Sequence, residues 1–175
     1  MPRRVLVAGA AFAAGLAGVV GWANLPDSPP LPAGAVADRV VVEKGAHTLT
    51  LLRHGAALKT YRVSLGGHPR GPKREEGDER TPEGVYRLDS RNPRSSAHLA
   101  LHISYPDSAD AARARTRGVQ PGGLIMVHGI SNGLGWLGRL HRLADWTDGC
   151  VAVTNREMDE IWRAVPTGTP IEIRP

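Results

Sequence analysis

Three runs of alternating apolar and polar residues, laid end to end, constrain this chain more than any other feature. They are Asp38–Glu43 (DRVVVE), His47–Arg53 (HTLTLLR) and Leu58–Leu65 (LKTYRVSL). Gly45 and Gly55 sit in the short gaps between them, and Gly66-Gly67 closes the third. Period-2 runs with glycine turns read as β-strands joined by tight connections. A helical bundle is a poor alternative, because 21 Gly and 14 Pro interrupt the 175 residues too often. No recurring period points to a solenoid or propeller.

The rest of the chain continues in the same style. Residues 84–89 (GVYRLD), 99–104 (LALHIS), 123–128 (GLIMVH) and 170–174 (PIEIR) read as further strands. Helices are expected over 107–117 and 136–145, and again after Thr154, where Thr154 and Glu157 form a capping-box pattern. Residues 68–83 are charged and rich in Gly and Pro, a long loop that is either flexible or a lid over a site. The expected fold class is β-dominated α+β, an antiparallel meander or sandwich with a few short helices, spanning residues 38–174.

Ahead of the domain, Arg3 and Arg4 precede an uncharged apolar run from Val5 to Ala23. Residues 1–26 therefore read as a signal peptide or an N-terminal membrane anchor, and 27–37 as a Pro-rich linker. Either reading puts the domain outside the cytoplasm, in the periplasm or cell envelope. The net charge of +5 includes Arg3 and Arg4, so the domain itself is only mildly basic. Basic stripes with interleaved aromatics are absent from the sequence, and nucleic acid is not an expected partner.

The one cysteine, Cys150, rules out an internal disulfide and the two-cysteine metal spacings. It lies in DWTDGCVAVT, where Gly149 permits a sharp turn just before the sulfur. A thiol needs a base or a positive field to become a nucleophile at neutral pH. His128 is the candidate base, at the end of an apolar strand and followed by Gly129. His141 is a second candidate, better suited to a surface or packing role between Leu140 and Leu143. The other histidines have no neighbours at metal-ligand spacing, so neither metal nor cofactor is expected.

Taken together, His128-Gly129 and Thr147-Asp148-Gly149-Cys150 resemble the signature of the L,D-transpeptidase catalytic domain, the YkuD family. Residues 59–66 (KTYRVSLG), residues 77–84 (GDERTPEG) and the tail from Asp159 to Ile173 resemble the family in the same order. Two positions depart from its pattern. Asp148 stands where many members have a second His, and Ala152 where many have Arg or Asn.

The resemblance implies a Cys150 nucleophile, a His128 base oriented by the Gly129 carbonyl, and an oxyanion site from backbone amides around Asp148, Gly149 and Cys150. Trp146, Thr147 and Asn155 are candidate substrate contacts, Asn155 as a stand-in for the side chain missing at Ala152. The implied substrate is the stem peptide of peptidoglycan. The acyl acceptor would be the amine of another stem or of a wall-linked protein. Two alternatives stay open at this point: hydrolysis of wall peptides with water as acceptor, and a wall-binding module without catalysis.

Overall fold

In a computed structural model of the protein, residues 15–175 are described. Strand β1 (Arg39–Glu43) buries Val40, Val41 and Val42. It runs antiparallel to β2 (Thr48–Arg53), which in turn pairs with β3 (Ala56–Arg62). The expected meander is therefore real as far as Arg62. Beyond it come β4 (Gly84–Asn92), β5 (Ala100–Ile103), β6 (Met126–His128), β7 (Val151–Ala152) and β8 (Thr169–Arg174).

These strands form one eight-stranded sheet of order β3-β2-β1-β8-β4-β5-β6-β7. It is mixed: β1/β8 and β6/β7 are parallel, the other neighbours antiparallel. The sequence pattern missed β7, since two residues are too few for a periodicity. The two ends of the sheet are stitched by isolated bridges, Ser64 with Ala152 and Gly66 with Thr147, so the sheet curls back on itself. That seam flanks Cys150 on both sides in sequence.

Helix α1 (Ser108–Arg117) starts at a reciprocal Asp107/Asp110 capping box and ends at Gly118, whose φ of 71° suits glycine. Helix α2 (Asn155–Ala164) starts at the expected Thr154/Glu157 box. It contributes Met158, Ile161 and Ala164 to the same buried core as Val42, Leu49, Leu51 and Ile171. Glu160 is buried on the same helix and is held by Lys59 at 2.7 Å and the Tyr61 hydroxyl at 3.1 Å. A buried carboxylate is tolerated only with such partners.

Residues 136–145 do not make an α-helix. Gly135–Leu143 is a 3₁₀ segment, broken at Gly138 with φ 48°. Only glycine fits at the break, because the Ala23 carbonyl and the Asn24 side chain occupy the space a Cβ would need. His141, on this segment, is buried, the packing role rather than a surface one.

The segment before the domain is docked, not splayed. Residues 15–23 are helical, and Ala23 is buried. The Asn24 amide donates to the Trp136 carbonyl at 2.8 Å. Asp27 pairs with Arg139 and Arg142, and Arg142 pairs with Glu157 at 2.6 Å. Arg139 also lies over the Trp22 ring at 4.3 Å. The 27–37 stretch continues along the domain, with Lys59 Nζ bonded to the Pro29 carbonyl at 2.8 Å and Ala37 in the core. Residues 1–14, which hold the start of the apolar run expected to be a signal or anchor, lie outside the described residues. Among the described residues, no helix is long and apolar enough to cross a membrane.

The 68–83 loop is ordered by buried lysines. Lys44 Nζ donates to the Gly71 and Thr81 carbonyls at 2.6 and 2.9 Å and pairs with Glu83 at 2.8 Å. Lys73 pairs with Asp78, whose carboxylate also accepts the Arg74 and Arg80 amides. The loop thereby packs behind the cysteine turn, with its Arg80 carbonyl against Gly149.

Candidate active site

The site is built where β6 ends and β7 begins. The parallel register sets Val127 beside Val151 and His128 beside Ala152. Extending it by one pair puts Cys150 beside Met126, two positions from His128. Cys150 directly precedes β7, so the pairing carries it alongside the strand that ends on His128. Both line one cleft of about 460 Å³. Cys150 is half-buried, while His128 is mostly covered.

The imidazole is fixed by its own strand end. His128 Nδ1 lies 2.6 Å from the Gly129 carbonyl oxygen. A carbonyl only accepts, so Nδ1 carries the proton and Nε2 keeps its lone pair. Burial pushes the His128 pKa below its ordinary 6.5, with the Gly129 bond opposing. The ring is therefore neutral at neutral pH, the form that can take a proton. Trp146 stands edge-on to it, ring centres 5.8 Å apart, and edge-on to His141 at 6.3 Å. Behind Trp146, the Ser64 hydroxyl reaches His141 Nδ1 at 3.3 Å. Burial, then Arg142 and His128, push the His141 pKa down to about 4, so it too is neutral.

The thiol rests protonated. Its Sγ lies 3.6 Å from the Leu124 carbonyl, to which the S–H donates. Burial raises its pKa above the ordinary 9.0, the Met126 backbone contact lowers it, Asp148 raises it and Lys73 lowers it. Leu124 presents that carbonyl from a left-handed conformation, φ 57°, which costs a non-glycine residue of order 1–3 kcal/mol and clusters at functional sites. Its side chain is exposed beside the cleft. Only the Gly122-Gly123 dipeptide just before it marks this position in the sequence.

Gly149 is required where it is. Its φ is 122°, and a Cβ there would meet the Arg80 carbonyl oxygen at 2.5 Å. The expectation that the Gly149 amide serves an oxyanion needs correction: it already donates to Thr147 Oγ1 at 3.2 Å. Thr147 Oγ1 in turn donates to the Cys150 carbonyl at 2.8 Å, closing the turn like a clip. Thr147 is buried, so its hydroxyl shapes the turn, though the residue borders the cleft with Trp146 and Asp148.

Asn155 is not brought to this cleft. Its Oδ1 accepts the Ile130 amide at 2.8 Å, tying the loop after His128 to the start of α2, and it borders the Asp27 region instead. The substrate contact expected of it is corrected on that ground. Ala152 is fully buried and exchanges both backbone bonds with Ser64, at 2.8 and 2.9 Å, so its role is the sheet seam. Among the described residues, no group of three or more His, Cys, Asp or Glu is arranged to hold a metal ion.

Comparison with known proteins places the family and the fold. The YkuD profile, described as the L,D-transpeptidase catalytic domain, matches residues 37–173. YafK of Escherichia coli (strain K12), provisionally named an L,D-transpeptidase, is 29% identical over 110 residues, covering 62% of this chain and 37% of YafK. The chain thus spans well under half of that relative's length. Among solved structures, the helical cell shape determining protein Pgp2 from Campylobacter jejuni matches with a TM-score of 0.61 at 21% identity, over 89% of this chain and 53% of Pgp2. An L,D-transpeptidase from Mycobacterium smegmatis matches with a TM-score of 0.51 at 18% identity, over 78% of this chain and 58% of its own. At such identities the structural likeness speaks for the fold.

Proposed function

The chain belongs to the YkuD family of L,D-transpeptidase catalytic domains, and on that premise we propose that it is a cysteine-dependent L,D-transpeptidase acting on peptidoglycan stem peptides outside the cytoplasm. The observation that carries the proposal is the shared cleft: a thiol and a neutral imidazole whose free Nε2 is its only unused nitrogen.

In the proposed cycle, His128 Nε2 takes the Cys150 proton as sulfur attacks the carbonyl carbon of the third stem residue. The new C–S bond leaves a tetrahedral oxyanion. With the Gly149 amide engaged, the amides of Asp148 and Cys150 are the donors for that oxygen, and losing one such donor typically slows catalysis ~10²–10³-fold. Collapse breaks the C–N bond to the terminal D-Ala, whose amine leaves with the proton from His128. A second amine then attacks the thioester, His128 takes its proton, and the thiol is restored. The acceptor is another stem or a wall-linked protein. The N-terminal apolar segment exports the domain or holds it at the membrane.

Incubation with a carbapenem, followed by intact-mass spectrometry, tests the nucleophile. One adduct on the wild-type chain and none on Cys150→Ala is expected; an adduct on Cys150→Ala would refute the assignment. Muropeptide digestion tests the acceptor. New 3→3 cross-links mean transfer, shortened stems alone mean water is the acceptor, and no turnover with retained sacculus binding means a binding module.

A further inference from the structure

Negative charge is paired over most of the described residues. Nearly every carboxylate among the described residues faces a Lys, Arg or His, including Asp27, Asp78, Asp110, Glu157 and Glu160. The exceptions are Glu75 and Glu76 on the 68–83 loop, Asp107, which caps α1, and Asp148. Asp148 alone of these lines the cleft that holds Cys150. It is also the one charged side chain among the described residues that does so; the rest of the lining is hydroxyl, amide, imidazole, thiol and apolar. The chain as a whole carries a net charge of +5, so this carboxylate opposes the molecule's prevailing sign.

An unpaired carboxylate beside a nucleophilic thiol works against ionisation of the sulfur. After burial and against the Met126 contact, Asp148 adds to the upward push on the thiol pKa. A cation seated on Asp148 would cancel that contribution while holding the peptide in place.

We propose that Asp148 is a specificity-determining residue that receives a primary ammonium group of the substrate at the mouth of the Cys150 cleft. The proposal rests on the stem-peptide reading above and adds the class of substrate: a peptide acyl donor, or an acceptor, with a free amine close to the reacting carbonyl. Binding of that amine both selects the substrate and removes the negative charge that disfavours the thiolate. No bond forms or breaks at Asp148. Its carboxylate is exposed, so the contribution is that of a solvated ion pair and weakens with salt.

The test uses the full chain carrying Cys150→Ser, so that binding is measured without chemistry. The probes are a synthetic tetrapeptide stem with lysine at its third position, the same peptide with Nε-acetyllysine, and lysine amide as a free acceptor amine. The Asp148 form should bind the lysine peptide about fivefold tighter than the acetylated one at low salt, and Asp148→Asn should level the two. Asp148→Glu should restore the preference, which guards against a misfolded variant. A preference seen instead for lysine amide over its acetylated form, lost in Asp148→Asn, assigns the amine to the acceptor and supports the proposal equally. Equal binding of free and acetylated amines by the Asp148 form, or a preference that survives Asp148→Asn, overturns it. Turnover by the Cys150 chain is scored separately, so failure of the transpeptidase reading leaves the binding result standing on its own.

Discussion

Two regions on either side of the 3₁₀ segment handle polar groups in opposite ways. On one side, Asp27 bridges Arg139 and Arg142, Glu157 takes the other face of Arg142, and Trp22 stacks on Arg139. Formal charges there meet formal charges, although the buried Nε atoms of Arg139 and Arg142 have no hydrogen-bond partner among the described residues. On the other side, among the described residues, Nε2 of His128 has no protein partner, Cys150 meets backbone at Leu124 and Met126, and Asp148 has no ion-pair partner. The first region gains fold stability by pairing its charges. The second keeps groups unsatisfied, which is what a reaction needs. Trp146 and His141 lie between them, so the clasp backs the wall of the cleft without entering it.

Substitutions on the two sides should separate activity from stability. The largest effect is expected from Cys150→Ala, which removes the nucleophile: turnover should fall on the order of 10⁴-fold or more with the melting temperature nearly unchanged. His128→Gln comes next, with a fall of ~10²–10⁴-fold in kcat/KM. The wild-type acid limb should lie below pH 6.5, because the imidazole pKa is lowered and the neutral ring persists as pH falls. An acid limb above pH 6.5 would contradict the burial argument.

Gly149→Ala should blur the separation, since one residue serves both turn and site. The positive φ and the Arg80 carbonyl make it costly, about 1–3 kcal/mol by denaturant unfolding, with activity falling as the turn shifts. Asp27→Asn should do the reverse of Cys150→Ala, costing about 0.5–1 kcal/mol with turnover intact. Two arginines hold the Asp27 pKa below its ordinary 3.8 against the opposing effect of burial. Its stabilising contribution is therefore present at neutral pH and lost as pH falls below 3.8 toward the lowered value. The gap in melting temperature between wild type and Asp27→Asn should close in strong acid. Persistence of the gap there would mean the clasp acts by shape and not charge.

How far these regions were legible in the sequence follows from how local their signals are. Strands β1 to β3 and the Thr154/Glu157 cap are written in adjacent residues, and they appear as read. His128 and Cys150 were picked out by residue type and motif, and the curled sheet brings them to one cleft. The seam at Ser64 and Ala152, the kink at Gly138 and the docking of Asp27 depend on residues far apart in the chain, with no periodicity to betray them. Asn155 is a candidate substrate contact in the sequence as a stand-in for the side chain missing at Ala152, yet its Oδ1 accepts the Ile130 amide instead. Asp148 looked like a mere departure from a pattern; only the absence of a partner around it gives it a meaning.

Peptide mapping of protein quenched during turnover with a tetrapeptide stem tests the central claim most directly. A tripeptidyl thioester on Cys150, formed in step with one released D-Ala and absent from His128→Gln on the same timescale, is the predicted result. Release of D-Ala with Cys150 unmodified, or with the acyl group on another residue, would contradict it.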